Sequence, residues 1–197
     1  MPLVGMYPAI PVVYAPLLSI FSILEYRKSM LKPQDLLVLL RLVLVPAGGR
    51  ATFQELSVEL GISASQVHAS VKRAALSGLL NLKTRVVNRR NLLEFLVHGA
   101  KYSFPARFTT VTRGVPTSHA ALPLSKLFAA SELPPVWAHP EGTVRGEGLE
   151  PLYSSAPDAA LRNPELHEWL ALLDAVRAGR ARERALAIKE LTKRLSA

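Results

Sequence analysis

From residue 31 onward the chain alternates between runs with helical apolar spacing and short breaks of Gly, Pro, Ser or Asn. Residues 33–45, PQDLLVLLRLVLV, are apolar almost all round, which predicts a helix buried on several sides. Pro33 suits its first turn and Asp35 its positive end. Pro46, Gly48 and Gly49 end it. In 52–60, TFQELSVEL, Thr52 and Glu55 form a capping box, and Phe53, Leu56 and Leu60 line one face. Gly61 supplies the left-handed residue that stops this helix. Ser63 and Gln66 make a second capping box after a turn of only three residues, and the spacing predicts a helix over 63–77 with Val67, Val71, Ala74 and Gly78 inward. Residues 79–87, LLNLKTRVV, are short and partly β-branched and predict two strands of a small hairpin. Residues 88–98 open with an Asn cap and end before Gly99, which predicts another helix.

The pattern then changes. Residues 103–160 are rich in proline and scattered glycine, with few long apolar runs. They predict irregular structure with one short helix near 122–131, anchored by Trp137, Leu149, Leu152 and Tyr153. Helical signal returns at Asn163, a cap followed by Pro164, with Leu166, Trp169, Leu170, Leu173 and Val176 as the apolar face. Gly179 breaks or kinks it, and 181–195 continue as an amphipathic helix with Leu186, Leu191 and Leu195. At the other end, residues 1–24 hold no charged side chain, and prolines at 2, 8, 11 and 16 interrupt them. The proline-free part, Leu17 to Leu24, is far short of the ~20 residues of a spanning helix. Three readings are open for 1–29: a packing arm, a membrane-associating tail, or a segment foreign to a natural protein that starts at Met30. The last is favoured, because regular patterning begins at Leu31. The expected organisation is an N-terminal arm over 1–29, a helical domain with a small hairpin over 30–102, an irregular segment over 103–160, and a helical segment over 161–197.

Charge separates these regions further. The formal net charge is +9, and residues 30–113 carry twelve Lys/Arg against four Asp/Glu, while 114–197 carry ten of each. A basic region beside a neutral one fits a polyanionic partner. The chain has no cysteine, which excludes disulfides, a thiolate zinc site and a cysteine nucleophile and suits a reducing cytoplasm. None of His68, His98, His119, His139 and His167 stands at a metal-binding spacing. Ser118-His119 lacks an identifiable third member, and the glycines of EGTVRGEG do not open a helix after a strand. No enzymatic activity and no cofactor are therefore expected.

The stretch TFQELSVELGISASQVHASVKRAALSGLL resembles the helix-turn-helix of bacterial winged-helix transcription regulators, such as the MarR and GntR groups. The resemblance rests on Leu56, the small Ser57, Leu60, Gly61, Ile62, Ser63, Val67 and Val71, and on the closing Leu76-Ser77-Gly78-Leu79-Leu80. It covers about residues 33–98. It implies a mainly α fold, a winged helix-turn-helix with a small β-hairpin wing, followed here by the irregular proline-rich segment and C-terminal helices. It further implies double-stranded DNA as partner, with 63–77 as recognition helix in the major groove. The outward residues would then be Ala64, Ser65, Gln66, His68, Ala69, Lys72 and Arg73. Ser65, Gln66, His68 and Ala69 are expected to read bases, and Lys72 and Arg73 to hold phosphates. No acidic residue occurs between Gly61 and Leu93.

Arg89 and Arg90 fall in the first turn of a predicted helix, where cations oppose the helix dipole at a cost of roughly 0.3–1 kcal/mol each when exposed. An external anion would offset that cost, so both are expected, with Lys83 and Arg85, to contact phosphate around the wing. The wing is too short to expect insertion into the minor groove. The expected role is a sequence-specific transcription regulator, a repressor, acting as a homodimer in a bacterial, nucleoid-associated cytoplasmic setting and not on a membrane. Residues 163–195 are candidates for dimerisation or for docking a protein, with packing on their own domain as the plain alternative. The competing reading is a protein-interaction module or antitoxin-like adaptor; an RNA binder is more distant, since no aromatic stacking motif is present.

Overall fold

Eight of the eleven residues of helix α1 (Pro33–Val43) are buried, as a run apolar on nearly every side requires. The computed structural model describes residues 29–46 and 48–196. The N-terminal arm expected over 1–29 lies, apart from Ser29, outside the described residues. Leu31–Ala197 form one compact unit. The described part is mostly helical with one small sheet. No helix among the described residues is long and apolar enough to cross a membrane.

Helix α2 (Phe53–Leu60) starts as its sequence requires. The Thr52 hydroxyl accepts the Glu55 N–H at 3.1 Å, and a Glu55 carboxylate oxygen accepts the Thr52 N–H at 2.7 Å. Gly61, at φ 65°, ends it in the left-handed region that favours glycine. Helix α3 (Ala64–Leu76) follows, capped by Ser63. It packs on α1 and α2 through Val67, Val71 and Ala74.

The expected hairpin over 79–87 is reduced to one bridge, Leu80 to Val87. Two further backbone bonds flank it, Asn81 N–H to Val86 at 2.9 Å and Asn88 N–H to Leu79 at 2.9 Å. The cause is local. The Asn81 side-chain oxygen accepts the N–H groups of Lys83 and Thr84, at 3.0 and 3.1 Å, which turns the chain before strands can extend. Arg85 closes the loop at φ 59°. The next helix begins with α4 (Arg89–Glu94), but it does not stop before Gly99. It widens into a π turn (Phe95–Gly99) and continues as α5 (Ala100–Ser103).

Residues 103–160 are not irregular. Strand β1 (Phe108–Pro116) pairs antiparallel with both β2 (Pro135–Ala138) and β3 (Val144–Leu149), and β2 and β3 pair parallel. This sheet has little hydrophobic periodicity because glycine holds inward positions. A Cβ on Gly146 would stand 1.9 Å from the Pro134 carbonyl oxygen, so backbone rather than side chain fills the space. The helix expected near 122–131 is a single 3₁₀ turn, Leu124–Leu127.

Helix α6 (Ala156–Arg162) packs on α2, and α7 (Pro164–Ala178) runs through the centre with every residue from Trp169 to Arg177 buried. Gly179 ends α7, and α8 (Ala181–Ser196) packs back on it. The apolar face of α7 thus finds its burial within its own unit, in one hydrophobic core shared with α1 to α5. Asp174, almost fully buried, ties α7 to the sheet. Its carboxylate accepts from Thr117 Oγ1 at 2.9 Å, Trp137 Nε1 at 2.7 Å and Arg177 Nη1 at 2.6 Å. Burial pushes the Asp174 carboxyl up from its ordinary range, and the Arg177 charge and these donors act against that. The C-terminal half also finishes α2. Ser155 donates to the Leu60 carbonyl at 2.6 Å, and Arg162 reaches the carbonyls of Val58 and Glu59 at 3.3 Å each. These are carbonyls that a helix end leaves unpaired.

Candidate nucleic-acid interface

The outer face of α3 is built from the positions its buried stripe leaves over. Ser65, Gln66, His68 and Lys72 are exposed, and Ala64 and Ala69 half-buried. The buried stripe holds this face in place through α1 and α2, so its early turns are rigid by packing.

The cap constrains its chemistry. The Gln66 carbonyl oxygen accepts both the Ser63 N–H at 3.0 Å and the Ser63 hydroxyl at 3.1 Å. The Gln66 N–H in turn donates to Ser63 Oγ at 3.2 Å. While this box holds, Gln66 offers only its amide NH₂ outward. A bidentate grip on adenine needs both a donor and an acceptor, so the capped Gln66 is a donor alone. Ser65 Oγ lies 3.0 Å from Ser63 Oγ and shares that network.

His68 stacks, tilted, on Phe53 with ring centroids 5.3 Å apart, and the Arg85 guanidinium lies 4.8 Å from the same ring centroid. A chain of three planar groups thus joins the α3 face to the turn after Leu80 through the first residue of α2.

Three of the residues expected to contact phosphate are engaged within the chain, and for Arg73 the expectation is corrected. Arg73 does not face outward. It is buried and grips Asp35 of α1 with both fork nitrogens, Nε to Oδ2 at 2.7 Å and Nη2 to Oδ1 at 2.5 Å. Its Nη2 also reaches Ser70 Oγ at 3.2 Å. Asp35 still accepts the Lys32 N–H at 2.8 Å, as expected of an acid in the first turn, but it is fully buried and needs a cation. Arg85 folds inward, donating from Nη1 to the Ala51 carbonyl at 2.8 Å. Arg89 is exposed but donates from Nη1 to the Arg194 carbonyl at 3.2 Å, near the end of α8. A helix C-terminus is the favourable place for a cation, so a partner within the chain takes up what an external anion was expected to offset.

Lys72, Lys83 and Arg90 are exposed and have no acidic partner within salt-bridge distance among the described residues. Arg50, not singled out from the sequence, is exposed on the loop before α2. Only its place beside Arg85 in the fold brings it into consideration. Glu55 is the nearby acid in the first turn of α2, and its two hydrogen bonds to Thr52 hold its carboxyl below the ordinary range.

No family model, curated protein or solved structure matches this chain. Among the described residues no group of three His, Asp or Glu could hold a metal ion. His119 Nδ1 lies 3.4 Å from Glu183 Oε1, but the other oxygen of Glu183 is committed to the Arg180 N–H at 2.8 Å, at the start of α8.

Proposed function

We propose that the chain is a sequence-specific double-stranded DNA-binding protein, a winged helix-turn-helix regulator that lays α3 in the major groove. The observation that carries this reading is the α3 face itself. It is polar, rigidly backed, free of carboxylates and flanked by exposed cations. A major groove accepts a helix and displays a readable pattern of donors and acceptors. Ser65, Gln66, His68 and Ala69 read bases, and Lys72, Lys83, Arg90 and Arg50 hold phosphates. Regulation acts through repression by a homodimer on paired half-sites.

The test is selection from a random duplex library across a salt series. With these four cations per subunit engaged, a dimer should lose affinity with a log–log salt slope of about −7, following roughly −0.9 per neutralised phosphate. Lys72→Ala should weaken all sequences alike, and Gln66→Ala or Ser65→Ala should change the preferred sequence. Absence of both a consensus and a steep salt dependence sinks the reading. It would leave the adaptor alternative, which the exposed apolar Leu76 (73%), Leu82 (52%) and Val86 (64%) favour.

A further inference from the structure

Between the loop before α2 and the turn after Leu80 lies a cavity of about 200 Å³. Its walls include Arg50, Arg85 and Arg89, with Thr84 and the backbone of Gly48 and Gly49, and no carboxylate. Most buried or half-buried arginines among the described residues are met by acids. Arg41 grips Glu59 through Nε and Nη2 at 2.6 and 3.0 Å, and Arg73 grips Asp35 through the same two atoms. Arg184 and Arg85 are the exceptions, each with one fork nitrogen on a backbone carbonyl and a buried Nε without an acceptor, and of the two it is Arg85 that lines this cavity beside other arginines. Its Nη1 is taken by the Ala51 carbonyl, yet its Nε is buried and has no acceptor. A buried donor left unsatisfied costs about 1–3 kcal/mol, more when charged. Burial, and then the neighbouring Arg50 charge, lower the Arg85 pKa from its ordinary value. Both effects disfavour the guanidinium that the site must nonetheless accommodate.

We propose that this cavity is a binding site for one phosphate group, held by the guanidinium groups of Arg85 and Arg50. A tetrahedral oxyanion supplies the acceptor that Arg85 Nε lacks and neutralises two facing cations at once. The space admits it together with several waters, each of which takes about 30 Å³ in the liquid. Arg89 forms part of the wall while its Nη1 stays on the Arg194 carbonyl. The phosphate belongs either to a DNA backbone or to a free phosphorylated small molecule. The Arg85–Phe53–His68 stack connects the cavity to the α3 face, so occupancy at one reaches the other through a single aromatic ring. The phosphate site stands without the DNA reading; only its backbone source depends on it.

The experiment is thermal unfolding of the full chain titrated with inorganic phosphate, against sodium chloride at matched ionic strength. The wild type should show a saturable rise in Tm with phosphate alone. Arg50→Gln, at an exposed position, and Arg85→Gln should each lose that rise, and Lys72→Ala should keep it. In parallel, duplex binding is measured with and without phosphate. Competition by phosphate, with weakened duplex binding by Arg50→Gln, assigns the site to the DNA backbone. A phosphate response with unchanged duplex binding, or with none, assigns it to a free ligand. An absent or unsaturable response in the wild type overturns the proposal. So does an equal response in Arg50→Gln and Arg85→Gln. Failure of the DNA reading appears separately, as no effect of Lys72→Ala on any duplex.

Discussion

The Arg73–Asp35 pair separates a residue that holds the fold from one that holds DNA. Asp35 is fully buried and Arg73 is 7% exposed. Removing one member of such a pair leaves the other charge buried without compensation, at a cost of about 3–5 kcal/mol. For Arg73→Met, Asp35 would retain only the Lys32 N–H. For Asp35→Leu, Arg73 would retain only the Ser70 hydroxyl. Against the roughly 5–15 kcal/mol that holds a domain folded, either change alone removes a large share. The double variant has no uncompensated charge and should fall within about 1–2 kcal/mol of the wild type, since apolar replacement of a buried ion pair is often neutral. Urea unfolding of the four proteins gives the coupling, expected at about 3 kcal/mol or more and read from midpoints at constant slope. The double variant should also bind the selected duplex within about twofold, because the Arg73 guanidinium is not on the surface. A single variant that loses less than about 1 kcal/mol, together with a folded double variant that loses tenfold or more in duplex affinity (about 1.4 kcal/mol), would refute this assignment and return Arg73 to the interface.

Other outcomes follow from the same geometry. Glu55 has a lowered pKa in the folded chain, so its capping contribution is fully present above the ordinary carboxylate range and is lost as pH falls through the folded value; Glu55→Gln should unfold at a lower Tm than wild type at neutral pH, with the gap closing as pH falls below the ordinary carboxylate range, and a gap that widens on acidification would contradict the sign. Gly146→Ala forces backbone apart at the β2–β3 crossing and should cost several kcal/mol, on the order of other severe core changes; unfolding at the wild-type denaturant midpoint would show that the strands are not so close. Asp174→Ala leaves Arg177, Thr117 and Trp137 without their common acceptor and should cost about 3–5 kcal/mol, with a change in Trp137 fluorescence; near-UV spectra unchanged from wild type would argue against that network.

The caps and stops of α2 and α3 were legible because they are made by residues three positions apart in the chain. Thr52 with Glu55, Ser63 with Gln66, and Gly61 between them act as their sequence spacing requires. The Asn163 cap and the Gly179 stop of α7 are local in the same way. The sheet was not legible, because its strands are joined through glycine backbone rather than through alternating apolar side chains. The candidate interface was legible in part. Ser65, His68 and Lys72 are where helical periodicity puts them, but Arg73 is buried on Asp35 and Arg85 folds inward to the Ala51 carbonyl rather than onto the outer face. Helical periodicity marks Arg73 as adjacent to the buried stripe and says nothing about a carboxylate 38 positions away. Arg50 carries no local signal in the sequence, and only the fold sets it beside Arg85.

What the sequence by itself determined is the local grammar of the chain: where helices begin and end, which face of α3 is polar, and that the basic charge falls in its first half. These depend on backbone groups, caps and periodicities that act over a few residues. Only the tertiary structure decided which charges are available. That choice depends on what each guanidinium meets across the fold. Arg73 meets Asp35 and leaves the surface, Arg89 meets the carbonyl of Arg194, and Arg85 meets Ala51 with its Nε still unmatched. Desolvation makes each of those meetings matter, because a buried charge must find a partner and an exposed one need not.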